Sequence, residues 1–303
     1  MERNRRRMRA RGPVLAGFRV VTLGGNIPAP AAAARLVDLG ASVVKIESPA
    51  GDPMAAIAPD LYRELNRGQK IVALSLKVKA DRARVDALLA KSDLLLTASR
   101  PASLRKLWLD WKPLHKRFPR LCHVALVGHS APHQNRPGHD MTYLAETGLI
   151  EPPNLPLSLW PDLATVERLV AAAFELLFAR ERTGKSGWRE IAIEDTAKFL
   201  TLPLRHGLTV RGGLLGGGSP RYNLYRAKDG WIALAALEPH FWARLKRELR
   251  LKTGSKRELL SAFRKRSADA WARWAEARDI PLAPLRNSGD RARPVTRSFR
   301  VLA

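Results

Sequence analysis

The sequence is short of several things, and each shortage excludes a class of protein. A single cysteine, Cys122, stands in 303 residues, so neither an internal disulfide framework nor a cysteine-built zinc site is available. No apolar run approaches the roughly 20 residues that cross a bilayer; the best, Leu169–Ala179, is interrupted by Glu175. No apolar stretch follows the N-terminal arginines, so a secretory signal is not expected either. The expectation is a protein without a membrane segment and with a cytoplasmic location. The glycine run that starts at Gly212 lacks the spacing of a dinucleotide loop after a strand, and it lacks a Walker lysine. His129 and His133 have no carboxylate at the spacing of a metal-binding helix, so no metal is expected.

Acidic residues are scarce as well. There are 28 Asp and Glu against 53 Lys and Arg, a net charge of +25. The densest cluster is Arg3, Arg5, Arg6, Arg7, Arg9 and Arg11, and residues 1–12 read as a basic disordered extension, since like-charge runs are normally solvated. A nucleic-acid binder should add a recognisable module, or aromatics interleaved with a basic stripe. Neither is present. The charge alone supports electrostatic attraction to polyanions, not a specific nucleic-acid partner.

What is present is a hydrophobic share of 46% in a chain long enough for one large domain or two unequal ones. Gly17–Leu23 reads as a strand, Ala31–Leu39 as an Ala-rich helix stopping at Gly40, and Ala41–Ile46 as a second strand. This is a βαβ unit, which implies a parallel sheet and a right-handed crossover. Strands at Lys70–Leu76, Asp93–Leu96, Leu121–Val127 and Trp188–Ile193 alternate with helical material at Ala80–Ala90, Leu104–Phe118 and Leu163–Arg182. The fold class is α/β: a Rossmann-like parallel sheet with flanking helices over residues 13–210. The glycine run reads as a flexible junction. Beyond it a smaller α+β domain is expected over 211–280, with a hairpin turn at Asp229-Gly230 and helices at Pro239–Arg250, Lys256–Lys265 and Ala268–Arg278. Residues 281–303 are read as a return segment toward the large domain.

Three places put an acid or an imidazole where a loop meets a helix: Gly138-His139-Asp140, Trp160-Pro161-Asp162 and Leu237-Glu238-Pro239. Asp140 and Asp162 fit either chemistry or plain N-capping. His139 fits either a catalytic imidazole or an ordinary polar loop position. Glu is not a favoured N-cap, although Pro239 suits a first helical position, so Glu238 is either a functional acid or an exposed surface residue. Cys122, on an apolar strand, reads as a buried small hydrophobe.

Longer motifs connect these positions. Leu15–Val21, Ala33–Glu47, Pro49–Pro53, Asn66–Lys70 with Leu76-Lys77, Arg100-Pro101, Gly138–Tyr143, Arg180–Gly187 and Tyr222–Glu238 follow one another over about residues 13–287. Their order and spacing resemble the family III CoA-transferase (CaiB/BaiF-type) superfamily, nearest its α-methylacyl-CoA racemase branch. In that branch the resemblance implies that His139 and Asp162 carry protons on opposite faces of a planar enolate, with Asp140 and Glu238 as their supporting pair. It implies CoA contacts from Asn66, Lys70, Arg100, Lys106 and Gly138, an acyl-CoA substrate whose CoA is no resident cofactor, and an interlocked homodimer. The helix starts at Asp140 and Asp162 are expected to offer free amides to the developing oxyanion. The family commonly has Arg where this chain has Ser48, and Lys45 or another Arg is expected to substitute. Two alternatives stand beside this reading. One is a CoA-transferase that uses Asp162 as its nucleophile. The other is a degenerate paralogue, non-catalytic or nucleic-acid-binding.

Overall fold

The structure, a computed structural model, describes residues 12–286. The arginine cluster of the first eleven residues and most of the expected return segment lie outside the described residues. The chain divides after Leu200 into two compact units, earlier than the glycine run.

The first unit carries six parallel strands: β1 (Arg19–Thr22), β2 (Ser42–Glu47), β3 (Lys70–Ala73), β4 (Leu94–Thr97), β5 (Cys122–Val127) and β6 (Trp188–Ala192). They lie in the order β3-β2-β1-β4-β5-β6, so the chain reverses its direction of travel between β1 and β4. The central strands β4 and β5 are buried on both faces, as in a parallel sheet covered by helices, while the edge strand β3 is largely exposed. Val20, Leu94, Leu96, Cys122 and Val124 face one core, together with α1 (Pro28–Asp38). Val21, Leu95 and Ile46 face another with Val85, Leu89, Leu104 and Leu114. Cys122 is fully buried, and burial pushes its thiol pKa up.

Short helices α2 (Pro53–Ile57) and α3 (Pro59–Leu65) follow β2, and α4 (Lys79–Leu89) follows β3. The single helical stretch expected over Leu104–Phe118 is two helices, α5 (Pro101–Lys106) and α6 (Trp111–Arg117). They are separated at Trp108, whose φ of 54° lies outside any right-handed helix. Then come α7 (Asp140–Glu146), the long α8 (Trp160–Thr183), which ends on left-handed Gly184, and α9 (Ile193–Leu200).

The second unit begins with α10 (Leu202–Arg205) and holds three antiparallel strands, β7 (Tyr222–Arg226), β8 (Trp231–Ala235) and β9 (Leu282–Pro284). β9 corrects the sequence reading, in which residues from 281 onward leave this domain. Leu282 pairs with Leu234 and Pro284 with Ile232. The glycine run is not a flexible joint either. It folds as one wide turn, Leu214–Gly218, against backbone so close that a Cβ on Gly216 would lie 1.8 Å from the Val210 carbonyl oxygen. Glycine is required there by close approach rather than by mobility.

Helices α11 (Pro239–Leu249), α12 (Lys256–Phe263) and α13 (Ala268–Glu276) pack Trp242, Leu245, Leu259, Phe263 and Trp271 against this sheet. The loop before α12 is tied by one carboxylate. Glu258 accepts from the amides of Lys252 (3.0 Å), Thr253 (3.0 Å), Gly254 (2.7 Å) and Ser255 (3.2 Å) and from the Thr253 hydroxyl (2.8 Å). The Thr253 hydroxyl and these amides hold its pKa down at about 2. A group depressed in this way stabilises the fold above its ordinary pKa and loses that contribution as pH falls toward 2. Glu258→Gln should therefore lower the melting temperature at pH 7 and have little effect near pH 2. Equal effects at both pH values in thermal melts would show that ionisation of Glu258 is irrelevant.

Candidate active site

A cleft of about 280 Å³ opens at the carboxyl ends of β1, β4 and β5. In an open α/β sheet the strand-order reversal leaves a crevice, because the loops on either side of it run in opposite directions. Here those loops supply Gly25 and Asn26 after β1 and Ser99 and Arg100 after β4. Arg136, Gly138, His139, Tyr143 and Asp162 are also among the lining residues. Four of the residues singled out in the sequence, Arg100, Gly138, His139 and Asp162, thus meet in one cavity.

His139 is the exposed residue immediately before α7. Its backbone is fixed by Thr142, whose hydroxyl accepts from the His139 amide (3.1 Å) and donates to the His139 carbonyl (2.7 Å). Asp140 is the first residue of α7 rather than its cap, and Asp162 is the third residue of α8, whose cap is Leu159. Simple N-capping therefore explains neither acid.

Asp140 and Asp162 instead belong to one another. The Asp162 amide donates to Asp140 Oδ1 at 2.9 Å, while Asp140 Oδ2 is buried without a partner. Burial, and then the nearby Asp140 carboxylate, push the Asp162 pKa up to about 7. Burial raises Asp140 too, against the opposing hydrogen bond from the Asp162 amide. A carboxyl group so poised is about half protonated at neutral pH, able to take a proton or give one.

The start of α7 offers two of the expected free amides, and the start of α8 only that of Trp160. Pro161 has no N–H, the Asp162 amide is taken by Asp140, and the Leu163 amide donates to Leu159 O at 3.0 Å. The amides of Asp140 and Met141 make no hydrogen bond to any described residue.

The other expected residues lie elsewhere. Asn66 is buried, its amide donating to Tyr62 O at 2.7 Å, with Oδ1 lacking a partner. Lys70 is exposed at the start of β3, and Lys106 is exposed in the last turn of α5. None of the three lines the cleft. Glu238 is exposed at the start of α11 in the second unit, and its side chain makes no capping bond. Lys45 cannot stand in for the missing arginine at Ser48. It is buried between Asp52 (2.7 Å) and Glu47 (2.9 Å), where two carboxylates already neutralise it. A second groove of about 560 Å³, lined by Ser48, Ser75, Ser99 and several apolar residues, has Lys77 as its lining cation. Among the described residues no cluster of three His, Cys, Asp or Glu could hold a metal ion, and no helix is long and apolar enough to cross a membrane.

Tyr143 is one of the cleft residues that the sequence reading passed over, along with Asn26, Ser99 and Arg136. For Tyr143 the available signal was the pair Gly128 and Gly138, both of which leave room for its hydroxyl.

Residues 15–297 match the model of CoA-transferase family III. Human α-methylacyl-CoA racemase is 34% identical, over 89% of this chain and 77% of its own. A probable fatty acyl-CoA transferase of Mycobacterium tuberculosis is 29% identical, over 76% of this chain and 67% of its own. The crystal structure of that mycobacterial protein superposes with a TM-score of 0.81 at 25% identity, covering 92% of this chain and 85% of that one. With a matching model over nearly its whole length, and relatives that include both racemases and transferases, the chain belongs to CoA-transferase family III.

Proposed function

We propose that the cleft binds a 2-methylacyl-CoA thioester and epimerises it by removing and restoring the α-proton. The observation that carries this reading is Asp162, a cleft carboxyl whose pKa of about 7 lets it pass a proton in either direction at neutral pH. His139 shares the cavity and supplies the second proton carrier. An α-proton beside a thioester is weakly acidic, so its removal needs a positioned base and charge stabilisation at the carbonyl oxygen. The unbonded amides of Asp140 and Met141 are available for the latter. Arg100, on the cleft wall, is placed for a CoA phosphate, and the groove at Ser48 and Lys77 suits the nucleotide end. No resident cofactor enters this chemistry, because side chains and amides supply every role.

The transferase reading assigns Asp162 to nucleophilic attack on the thioester. A nucleophile gains from a high ionised fraction at neutral pH, and a raised pKa reduces that fraction. The same perturbation serves a proton carrier, which supports the epimerisation reading.

Incubating the protein with a 2-methylacyl-CoA in deuterated water distinguishes the readings. The expected result is deuterium at the α-carbon without any acceptor acid, falling by about 10²–10⁴-fold in His139→Ala and Asp162→Ala. CoA exchange only when a free carboxylic acid is supplied would make the protein a transferase.

A further inference from the structure

Tyr143 is 1% exposed, and its ring is fixed on two sides. The His129 ring packs edge-on at 5.1 Å, and the hydroxyl is wedged between two glycines. A Cβ built on Gly128 would lie 2.3 Å from Tyr143 Oη, and one on Gly138 would lie 2.4 Å away. Both glycines line the cleft, as Tyr143 itself does. Buried tyrosine hydroxyls ordinarily find a hydrogen-bond partner. The core Tyr225 follows that rule by donating to Pro220 O at 2.6 Å, and Tyr62 follows it by donating to Glu47 at 2.8 Å. Tyr143, which lines the cleft, makes no hydrogen bond through its hydroxyl to a described residue.

We propose that Tyr143 Oη donates a hydrogen bond to the carbonyl oxygen of the thioester bound in this cleft. The proposal rests on the acyl-CoA reading of the cleft, but not on which reaction follows. Loss of the α-proton puts negative charge on that oxygen as an enolate. Attack by Asp162 would put it there as a tetrahedral alkoxide. In either case the phenolic proton stays on Oη, and no bond at Tyr143 is made or broken. The hydrogen bond strengthens as charge develops, which lowers the barrier without tightening ground-state binding. Burial, then Asp162, Glu146 and Glu194, push the phenol pKa up to about 12, so the donor keeps its proton across the working pH range.

Tyr143→Phe tests this, because it keeps the ring and its contact with His129 and removes only the hydroxyl. With a 2-methylacyl-CoA in deuterated water, kcat for α-exchange should fall by about 10²–10³-fold, the usual effect of deleting one oxyanion donor, with KM changing less than about threefold. An S-alkyl-CoA thioether, which has no carbonyl oxygen, should bind parent and variant equally. A kcat within about twofold of the parent would overturn the proposal, as would thioether binding that weakens in step with kcat, since the hydroxyl would then only support structure. A parent protein that neither exchanges the proton nor transfers CoA would overturn the reading of the cleft itself, and the donor assignment with it. An unaffected variant of an active parent overturns the donor assignment alone.

Discussion

Asp162→Asn is expected to stabilise the protein by roughly 2–4 kcal/mol at pH 8 and by well under 1 kcal/mol at pH 4, while its α-proton exchange falls by about 10²–10⁴-fold. The direction follows from the site. Folding raises the Asp162 pKa from 3.8 to about 7, so between those values the native state binds more protons than the unfolded chain. Stability therefore falls as pH rises through that window, and the full cost is present above about pH 7. Asparagine carries no charge at any pH and escapes the cost. Its amide also brings a donor to the neighbourhood of Asp140, whose Oδ2 is buried and unpartnered. Urea titrations of parent and variant at pH 4, 6 and 8 measure the difference, and a gap that is constant with pH would mean that Asp162 is an ordinary carboxylate. Gain of stability with loss of activity is the pattern of a site held in an unfavourable electrostatic state for its chemistry.

The second large effect is expected at a buried ion cluster, whose Asp52 also accepts the amide of the cleft residue Asn26 at 3.4 Å. Lys45→Met should cost about 3–5 kcal/mol, because it removes the one cation from a buried cluster and leaves two carboxylates facing each other. The Lys45 ammonium lies 2.7 Å from Asp52 and 2.9 Å from Glu47, and 5.1 Å from the centre of the Tyr62 ring. Asp52 also caps α2 by accepting the Met54 amide at 3.0 Å. Repulsion in the variant would be felt in the loop after β2 as well as in the core. Adding Asp52→Asn should recover part of the loss at neutral pH. A Lys45→Met variant that melts within about 1 kcal/mol of the parent would show that the cluster is solvated and contributes little.

Much of the molecule was legible in the sequence because it depends on local rules. Strand runs such as Val20-Val21 and Leu94–Leu96, the stop at Gly40 and the 3.6-residue stripe of α8 are short-range patterns, and each lies in the expected element. The order of strands and helices implied the parallel sheet, and the motif around His139 and Asp162 pointed to residues that share the cleft. β9 was not legible, since a three-residue strand ending in proline has no periodicity and is defined only by its partner β8. The capture of Lys45 was hidden for a related reason. A lysine on a strand looks the same in sequence whether it meets solvent or two buried carboxylates.

The excess of positive charge, the scarcity of cysteine and the helix and strand periods were determined by the sequence alone, because they are properties of composition and near neighbours. The placement of Asp140 against the amide of Asp162 was decided by tertiary structure, as were the shift of Asp162 to about 7 and the setting of the Tyr143 hydroxyl between Gly128 and Gly138. These depend on burial and on contacts between distant segments. A carboxyl group becomes a proton carrier at neutral pH only when the folded chain removes its water and places another acid beside it.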